Sequence, residues 1–162
     1  MKEHHPFVKY LYELATREDR AALAELRRSF ANPIAALPYV VPFLRRDASR
    51  REEDALVLVA SLFALHPTPG QLSLAKALAL CSKDSESVEL RFRGLLDSDA
   101  EDLPTHLRHA ISLVRSKDMA IDYDDLLRAI RWWSREDKDR QRAWARDFWG
   151  TTEATTTEET AT

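Results

Sequence analysis

The chain has 162 residues, of which 44% are hydrophobic and 31% are charged, and its formal net charge is -3. This balance is typical of a soluble globular protein and excludes a mainly disordered chain. Its three glycines are too few for the strained turns of a β-sandwich, a dinucleotide-binding crossover or a phosphate loop. The single Cys81 excludes an internal disulfide and favours a reducing, cytoplasmic location, and we see neither a membrane-spanning run nor a signal peptide.

Helical periodicity recurs from one end of the sequence to the other, whereas the alternation typical of strands is missing. The stretch from Ala55 to Leu65 is apolar nearly all round, which predicts a central buried helix. Pro67, Pro69 and Gly70 end it. The apolar spacing predicts helices over 6–15, 17–30, 51–65, 71–82, 86–97, 103–116, 123–133 and 135–149. Three prolines predict a broken connector between the second and third of these, with at best a short helix near 39–45.

Side chains that can cap helix ends support several of these boundaries. The predicted caps are Thr16 with Asp19, Ser85 or Ser87, Asp102 with Pro104, Asp122 with Asp125, and Ser134 with Asp137. We therefore predict an all-α fold, a compact bundle-like array of seven to eight helices with short connections. Residues 1–150 form one helical domain, or two packed halves with a break near 67–72 or 98–102.

The last twelve residues, 151–162, are rich in threonine and contain three glutamates and no basic residue. They predict a disordered Thr/Glu tail. Without these glutamates, the remaining 24 acidic residues equal the 24 lysines and arginines, so the folded body is neutral. A neutral body can still carry one basic face.

Catalytic chemistry is poorly represented. His106 and His109 are three residues apart, but no second helix offers a matching carboxylate–histidine pair, so we predict no metal site. No strained glycine turn presents a serine, and Cys81 follows a run of leucine and alanine. We predict no catalytic residue, no cofactor and no enzymatic activity.

Four tryptophans, at 132, 133, 144 and 149, offer two interpretations. Trp144 and Phe148 lie four residues apart, which favours burial in the core over a platform for stacking bases.

The arginines are the stronger indication of a nucleic-acid-binding surface. Arg108 and Arg115 lie seven residues apart on one helix, almost eclipsed, and Arg128, Arg131 and Arg135 repeat this spacing. Such rows of arginines are also explained by solvent-exposed side chains that pair with nearby acidic residues. The excess of arginine over lysine, however, favours contacts with phosphate groups.

Six segments occur in a set order along the chain: "LVASLFALHP" (58–67), "SLAKAL" (73–78), "VELRFRGLLDSD" (88–99), "LPTHLRHAISLVRS" (103–116), "IDYDDLLRAIRWW" (121–133) and "WARDFW" (144–149). Together they resemble the CasB family, the small subunit of the type I-E CRISPR surveillance complex called Cascade. Each segment alone is an ordinary helix, whereas their order is specific. The resemblance extends from about residue 6 to 149.

The resemblance implies a non-catalytic subunit that stabilises the R-loop, which consists of the CRISPR RNA–target heteroduplex and the displaced DNA strand. Its implied partners are the CRISPR RNA and target DNA backbone, the backbone and large subunits of Cascade, and a second copy of itself. The implied nucleic-acid-binding residues are Arg27, Arg28, Arg50, Arg51, Arg91, Arg108, Arg115, Lys117, Arg131 and Arg135. The sequence leaves open a helical protein–protein adaptor without nucleic-acid contact. A helix-turn-helix regulator and a metal-dependent nuclease are weaker alternatives.

Overall fold

A computed structural model describes residues 3–150. Nine α-helices lie in this range: α1 (Pro6–Thr16), α2 (Arg20–Arg28), α3 (Leu37–Val40), α4 (Arg50–Leu65), α5 (Leu74–Cys81), α6 (Glu86–Asp97), α7 (Leu103–Ser116), α8 (Tyr123–Arg131) and α9 (Asp139–Trp149). The 3-10 helices Pro33–Ala36 and Val41–Phe43 flank α3, and one short strand, β1, spans Pro69–Leu72. The all-α prediction is confirmed, and the predicted tail 151–162 lies outside the described residues.

Helix α4 is the centre of the packing, as its all-round apolar sequence predicts. It contacts α1, α2, α3, α7 and α8. A second group forms around α5, which contacts α6, α7 and α9. Buried side chains from each of these helices belong to one hydrophobic cluster. Aromatic pairs join distant segments within it, among them Phe63 with Tyr123, Trp133 with Trp144, and Phe92 with Phe148.

The connector between α2 and α4 is broken, as its three prolines predict. Pro33, Pro38 and Pro42 each remove a backbone N–H donor, so the short helix expected at best near 39–45 is the four-residue α3, between two 3-10 helices. With α3, nine α-helices lie within residues 3–150, one more than the seven or eight predicted.

Three predicted caps are wrong. Asp102 is at the N-cap position of α7, but its side chain makes no capping hydrogen bond. Thr16 is the last residue of α1 and donates to the Tyr12 carbonyl at 3.0 Å, so Asp19 alone caps α2. Helix α9 begins at Asp139 rather than after Ser134, because Lys138 takes a left-handed conformation (φ 55°) and Asp137 accepts the Asp139 N–H.

Strand β1 was not predicted. Pro67 and Pro69 prevent a helix and leave an extended segment that pairs in parallel with Ile121. The amides of Ile121 and Asp122 donate to the carbonyls of Thr68 and Leu72, at 3.2 and 2.7 Å. Helix α5 therefore begins at Leu74, three residues later than predicted.

Candidate nucleic-acid interface

Residues from the N-terminus of α4, the C-termini of α2 and α8, and α7 line neighbouring depressions, and each of these four helices contributes an arginine. We define three neighbouring depressions by their linings. The side cleft contains Arg27, Phe30 and Arg108. The central groove contains Phe30, Arg51 and Arg131. The Trp132 pocket contains Arg128, Arg131, Trp132, Arg135 and Arg140. Phe30 lines both of the first two, and Arg131 lines both of the last two, so the three form a connected series.

In the side cleft, arginines from α2 and α7 meet without acidic partners. The Arg27 Nε donates to the Ala64 carbonyl at 3.4 Å, and the Arg108 guanidinium lies 4.5 Å from the centre of the Phe30 ring. Neither forms an ion pair with another residue of the described range 3–150. Each guanidinium is therefore oriented by a neutral contact and keeps donors for an anion.

The central groove has a volume of about 570 Å³. Its floor is apolar and includes Val57, Leu58 and Ile130. Arg51 is exposed and forms no ion pair within the described part of the chain. The Arg131 Nε instead contacts Glu52 Oε2 at 3.1 Å, which fixes the guanidinium between α8 and α4.

Carboxylates lie in and beside the Trp132 pocket: Glu3, Asp124 and Asp139 line it, and Asp125 and Asp137 pair with its arginines without lining it. Asp137 lies 2.8 Å from the Arg135 guanidinium, and this hydrogen bond, together with the Asp139 N–H, lowers the pKa of Asp137 to about 2. Asp139 lies 2.8 Å from Arg140. Asp125 is 3.7 Å from Arg128, and burial raises the pKa of that carboxyl. These arginines are largely neutralised, unlike those of the side cleft.

Five of the ten predicted arginine and lysine positions thus lie in the connected series: Arg27, Arg51, Arg108, Arg131 and Arg135. The other five do not line it. Arg50 pairs with Asp54 at 2.9 Å, and Lys117 lies 3.7 Å from Asp84. Arg28 and Arg115 are exposed at the ends of α2 and α7, and Arg91 lines a separate groove between α6 and α7.

Sequence reasoning missed two contributors. The sequence did not indicate Phe30, because no local pattern links it to Arg108. The two side chains are in contact only in the folded protein. Arg140 enters the Trp132 pocket from α9. Core burial, which the sequence favours for the tryptophans, holds for Trp133 and Trp144, which are 2% and 1% exposed, but not for Trp132 and Trp149, which are 46% and 40% exposed.

The described residues offer neither a metal cluster nor a membrane span. No group of three or more histidine, cysteine, aspartate or glutamate side chains suited to a metal ion occurs within residues 3–150. None of the helices in that range is both long enough and apolar enough to cross a bilayer. Fold and surface therefore define a class: a small, mainly helical protein with a series of arginine-lined depressions on its surface.

Comparison with known proteins gives the family. The family model of CRISPR-associated protein Cse2 matches residues 22–149. A curated Cse2 of Thermus thermophilus is 43% identical, over 80% of this chain and 79% of its own. The chain belongs to the Cse2 family, which confirms the resemblance to CasB.

Solved structures agree. CasB from Thermus thermophilus superposes with a TM-score of 0.81 at 36% identity, and the match covers 93% of this chain and all of the other. A chain of a structure described as a CRISPR RNA-guided surveillance complex gives a TM-score of 0.75 at 26% identity, over 95% of this chain and 94% of that one.

Proposed function

We propose that this protein is the non-catalytic small subunit of a type I-E CRISPR RNA-guided surveillance complex. In this role it binds nucleic-acid backbone and stabilises the R-loop in antiviral defence. Family membership and the likeness to a chain of a surveillance complex support a place in such an assembly. Its proposed partners there are the guide RNA, the target DNA, the backbone and large subunits, and a second copy of itself.

The observation that carries the nucleic-acid role is the side cleft. Arg27 and Arg108 come from helices far apart in sequence, yet both line one cleft, and neither has a carboxylate partner within the described residues. The cleft has a volume of only about 10 Å³, so a phosphate would contact the two exposed guanidinium groups at the surface rather than enter it. Guanidinium groups of this kind suit phosphate, because the fork of N–H donors can hold two oxygens. Sequence is read by base pairing to the guide, so the subunit needs backbone contacts rather than base-specific ones.

Small contacts suffice for this role. R-loop formation exchanges one duplex for another of similar stability, so a few protein–backbone contacts shift the equilibrium. Arg51 and Arg131 continue the proposed path from the side cleft along the central groove. Arg28, Arg91 and Arg115 are exposed. They remain predicted contacts with nucleic acid, at the ends of the proposed path or outside it.

No catalytic step is included in the proposal. Cys81, the one thiol, is buried, and burial raises its pKa away from the reactive thiolate form. Incubating the purified protein with labelled DNA or RNA and Mg²⁺ or Mn²⁺ tests this part directly. Strand cleavage would contradict it.

The main test uses the reconstituted complex with its guide RNA. Arg27→Gln combined with Arg108→Gln is expected to weaken target-DNA retention at about 0.15 M salt by about tenfold or more, because two charged hydrogen bonds are lost. The matched control is Arg45→Gln with Arg93→Gln, which removes the same charge from arginines paired with Asp47 and Glu89. Unchanged retention in the first pair, or equal loss in both, would contradict the proposal.

One observation favours the adaptor alternative. The groove between α6 and α7, lined by Val88, Leu90 and Leu113 among others, is largely apolar, and Leu90 is 70% exposed. Such a surface suits a protein partner. As a pure adaptor, the protein would show no salt-dependent binding to single-stranded or double-stranded nucleic acid, alone or in the complex.

A further inference from the structure

Trp132 is an exposed aromatic side chain at the end of α8. Its neighbour Trp133 is 2% exposed and donates from its indole to the Ser98 carbonyl, so the two adjacent tryptophans have different roles. The Trp132 indole is 46% exposed. An indole this accessible does not contribute its full apolar area to the core.

One guanidinium lies against this indole, and others line the same pocket. The Arg131 guanidinium lies 5.8 Å from the Trp132 ring centre, and Arg128, Arg135 and Arg140 line the same pocket of about 360 Å³. An exposed aromatic ring in a pocket that also contains guanidinium groups has two ligand-binding properties at once. The ring offers a face on which a base can stack, and the guanidinium groups offer donors to the phosphates on either side of that base.

We propose that Trp132 stacks an unpaired base of the displaced DNA strand, while the surrounding arginines hold its phosphates. This inference rests on the proposed function and adds a specific role for single-stranded DNA. A base within a duplex presents only its edge, so an indole on a protein surface gains a stacking partner only where the strand is unpaired.

The carboxylates of the pocket favour stacking over a purely electrostatic grip. Each lining arginine has an acidic partner: Asp125, Glu52, Asp137 and Asp139 pair with Arg128, Arg131, Arg135 and Arg140. Of these four partners only Asp139 lines the pocket itself, where Glu3 and Asp124 add two further carboxylates. These pairs orient the guanidinium groups and leave further N–H donors on each, but the six carboxylates outnumber the four arginines, so the site has no net positive charge. We therefore expect stacking on the indole to contribute more to binding at this pocket than electrostatic attraction does.

Trp149 provides a matched control. It is 40% exposed and also has an arginine over its ring, with Arg93 at 5.2 Å. However, it packs beside Phe92 and Phe148, away from the Trp132 pocket. Comparing Trp149→Ala with Trp132→Ala therefore separates the effect of losing any exposed indole from the effect of losing the proposed stacking site.

The experiment measures R-loop lifetime in the reconstituted complex, with an intact displaced strand and with one made abasic along its length. On the intact strand, Trp132→Ala is expected to shorten the lifetime by about fivefold or more, the usual scale of one stacked base. Trp132→Phe retains a ring and is expected to restore most of it. On the abasic strand, wild type and Trp132→Ala are expected to be equal, and Trp149→Ala is expected to match wild type on both strands.

Other results overturn the inference in distinguishable ways. If Trp132→Ala is as good as wild type on the intact strand while the Arg27/Arg108 variant is impaired, the stacking site fails and the proposed function stands. If neither variant is impaired, both fail. If Trp132→Ala prevents incorporation of the subunit, judged by size-exclusion chromatography of the complex, the indole contacts a protein instead. An equal loss on intact and abasic strands excludes base stacking.

Discussion

At the scale of single residues, His5 has a structural role that depends on its protonation. Its Nδ1 accepts the Phe7 N–H at 3.1 Å and so caps α1, which requires an unprotonated nitrogen. Burial lowers the pKa of His5, and the positive charge of Arg131 lowers it further. A neutral His5 is therefore part of the folded state.

We expect the free energy of unfolding to fall as the pH drops through the ordinary histidine pKa of about 6.5, because the unfolded chain then binds the proton more readily. His5→Asn keeps a capping side chain but cannot titrate. Its loss of melting temperature between about pH 7.5 and about pH 5.5 is expected to be smaller than that of wild type. His109→Asn, at an exposed position of α7, is the control. Equal losses in all three proteins would contradict the role of His5.

Residue-scale sequence reasoning could identify the arginines but could not rank them. Helical spacing placed Arg108 and Arg115 on one edge of α7 from the sequence alone. Whether an arginine is paired with a carboxylate depends on contacts from other elements. Glu52, for example, pairs with Arg131 although the two are 79 residues apart in sequence. The same limit explains Trp132 and Trp133, of which one is exposed and the other buried although they are adjacent in sequence.

At the scale of elements, caps were predictable where one side chain accepts the N–H groups of the next turn. Ser85 and Asp122 do so, and α6 and α8 begin as predicted. Prediction failed where backbone conformation decides the boundary. The left-handed Lys138 sets the start of α9, and the backbone pairing of β1 with Ile121 depends on a partner 49 or more residues away.

The glycines of β1 and α6 give an element-scale prediction. A Cβ on Gly70 would lie 2.5 Å from the Ala120 Cβ, so Gly70→Ala is expected to destabilise the protein by about 1–3 kcal/mol. A Cβ on Gly94 would meet His106 Cε1 at an ordinary 3.5 Å, so Gly94→Ala is expected to stabilise α6 by about 0.5–1 kcal/mol. Urea denaturation with a constant m-value measures both, and destabilisation of equal size in the two variants would refute this account of Gly70.

At the scale of the whole molecule, the depressions differ in whether their arginines are paired with carboxylates. The side cleft holds two arginines without carboxylate partners among the described residues, and the Trp132 pocket holds four that are paired. The proposed path for nucleic acid thus passes from an electrostatic site to an aromatic one. This difference is measurable through counterion release.

In the reconstituted complex, log Kobs for target DNA is expected to fall linearly with log salt concentration. Arg27→Gln with Arg108→Gln is expected to reduce that slope by about two, or about one for each phosphate contact. Trp132→Ala is expected to weaken binding at every salt concentration and leave the slope near the wild-type value. Titrations at several salt concentrations measure both slopes, and a slope that changes only in the tryptophan variant would reverse our assignment.

The junction of β1 with the segment before α8 concentrates long-range hydrogen bonds in a few residues. Besides the two β1 bonds, His66 Nε2 lies 2.6 Å from the Met119 carbonyl oxygen, and the buried Tyr123 hydroxyl donates to the His66 carbonyl. Such a node opens only when α4 and α8 separate, so local fraying cannot release it. In hydrogen–deuterium exchange, the amides of Ile121 and Asp122 are therefore expected to be protected as long as those of central α4. Rapid labelling at these two amides would mean that the halves of the chain open independently.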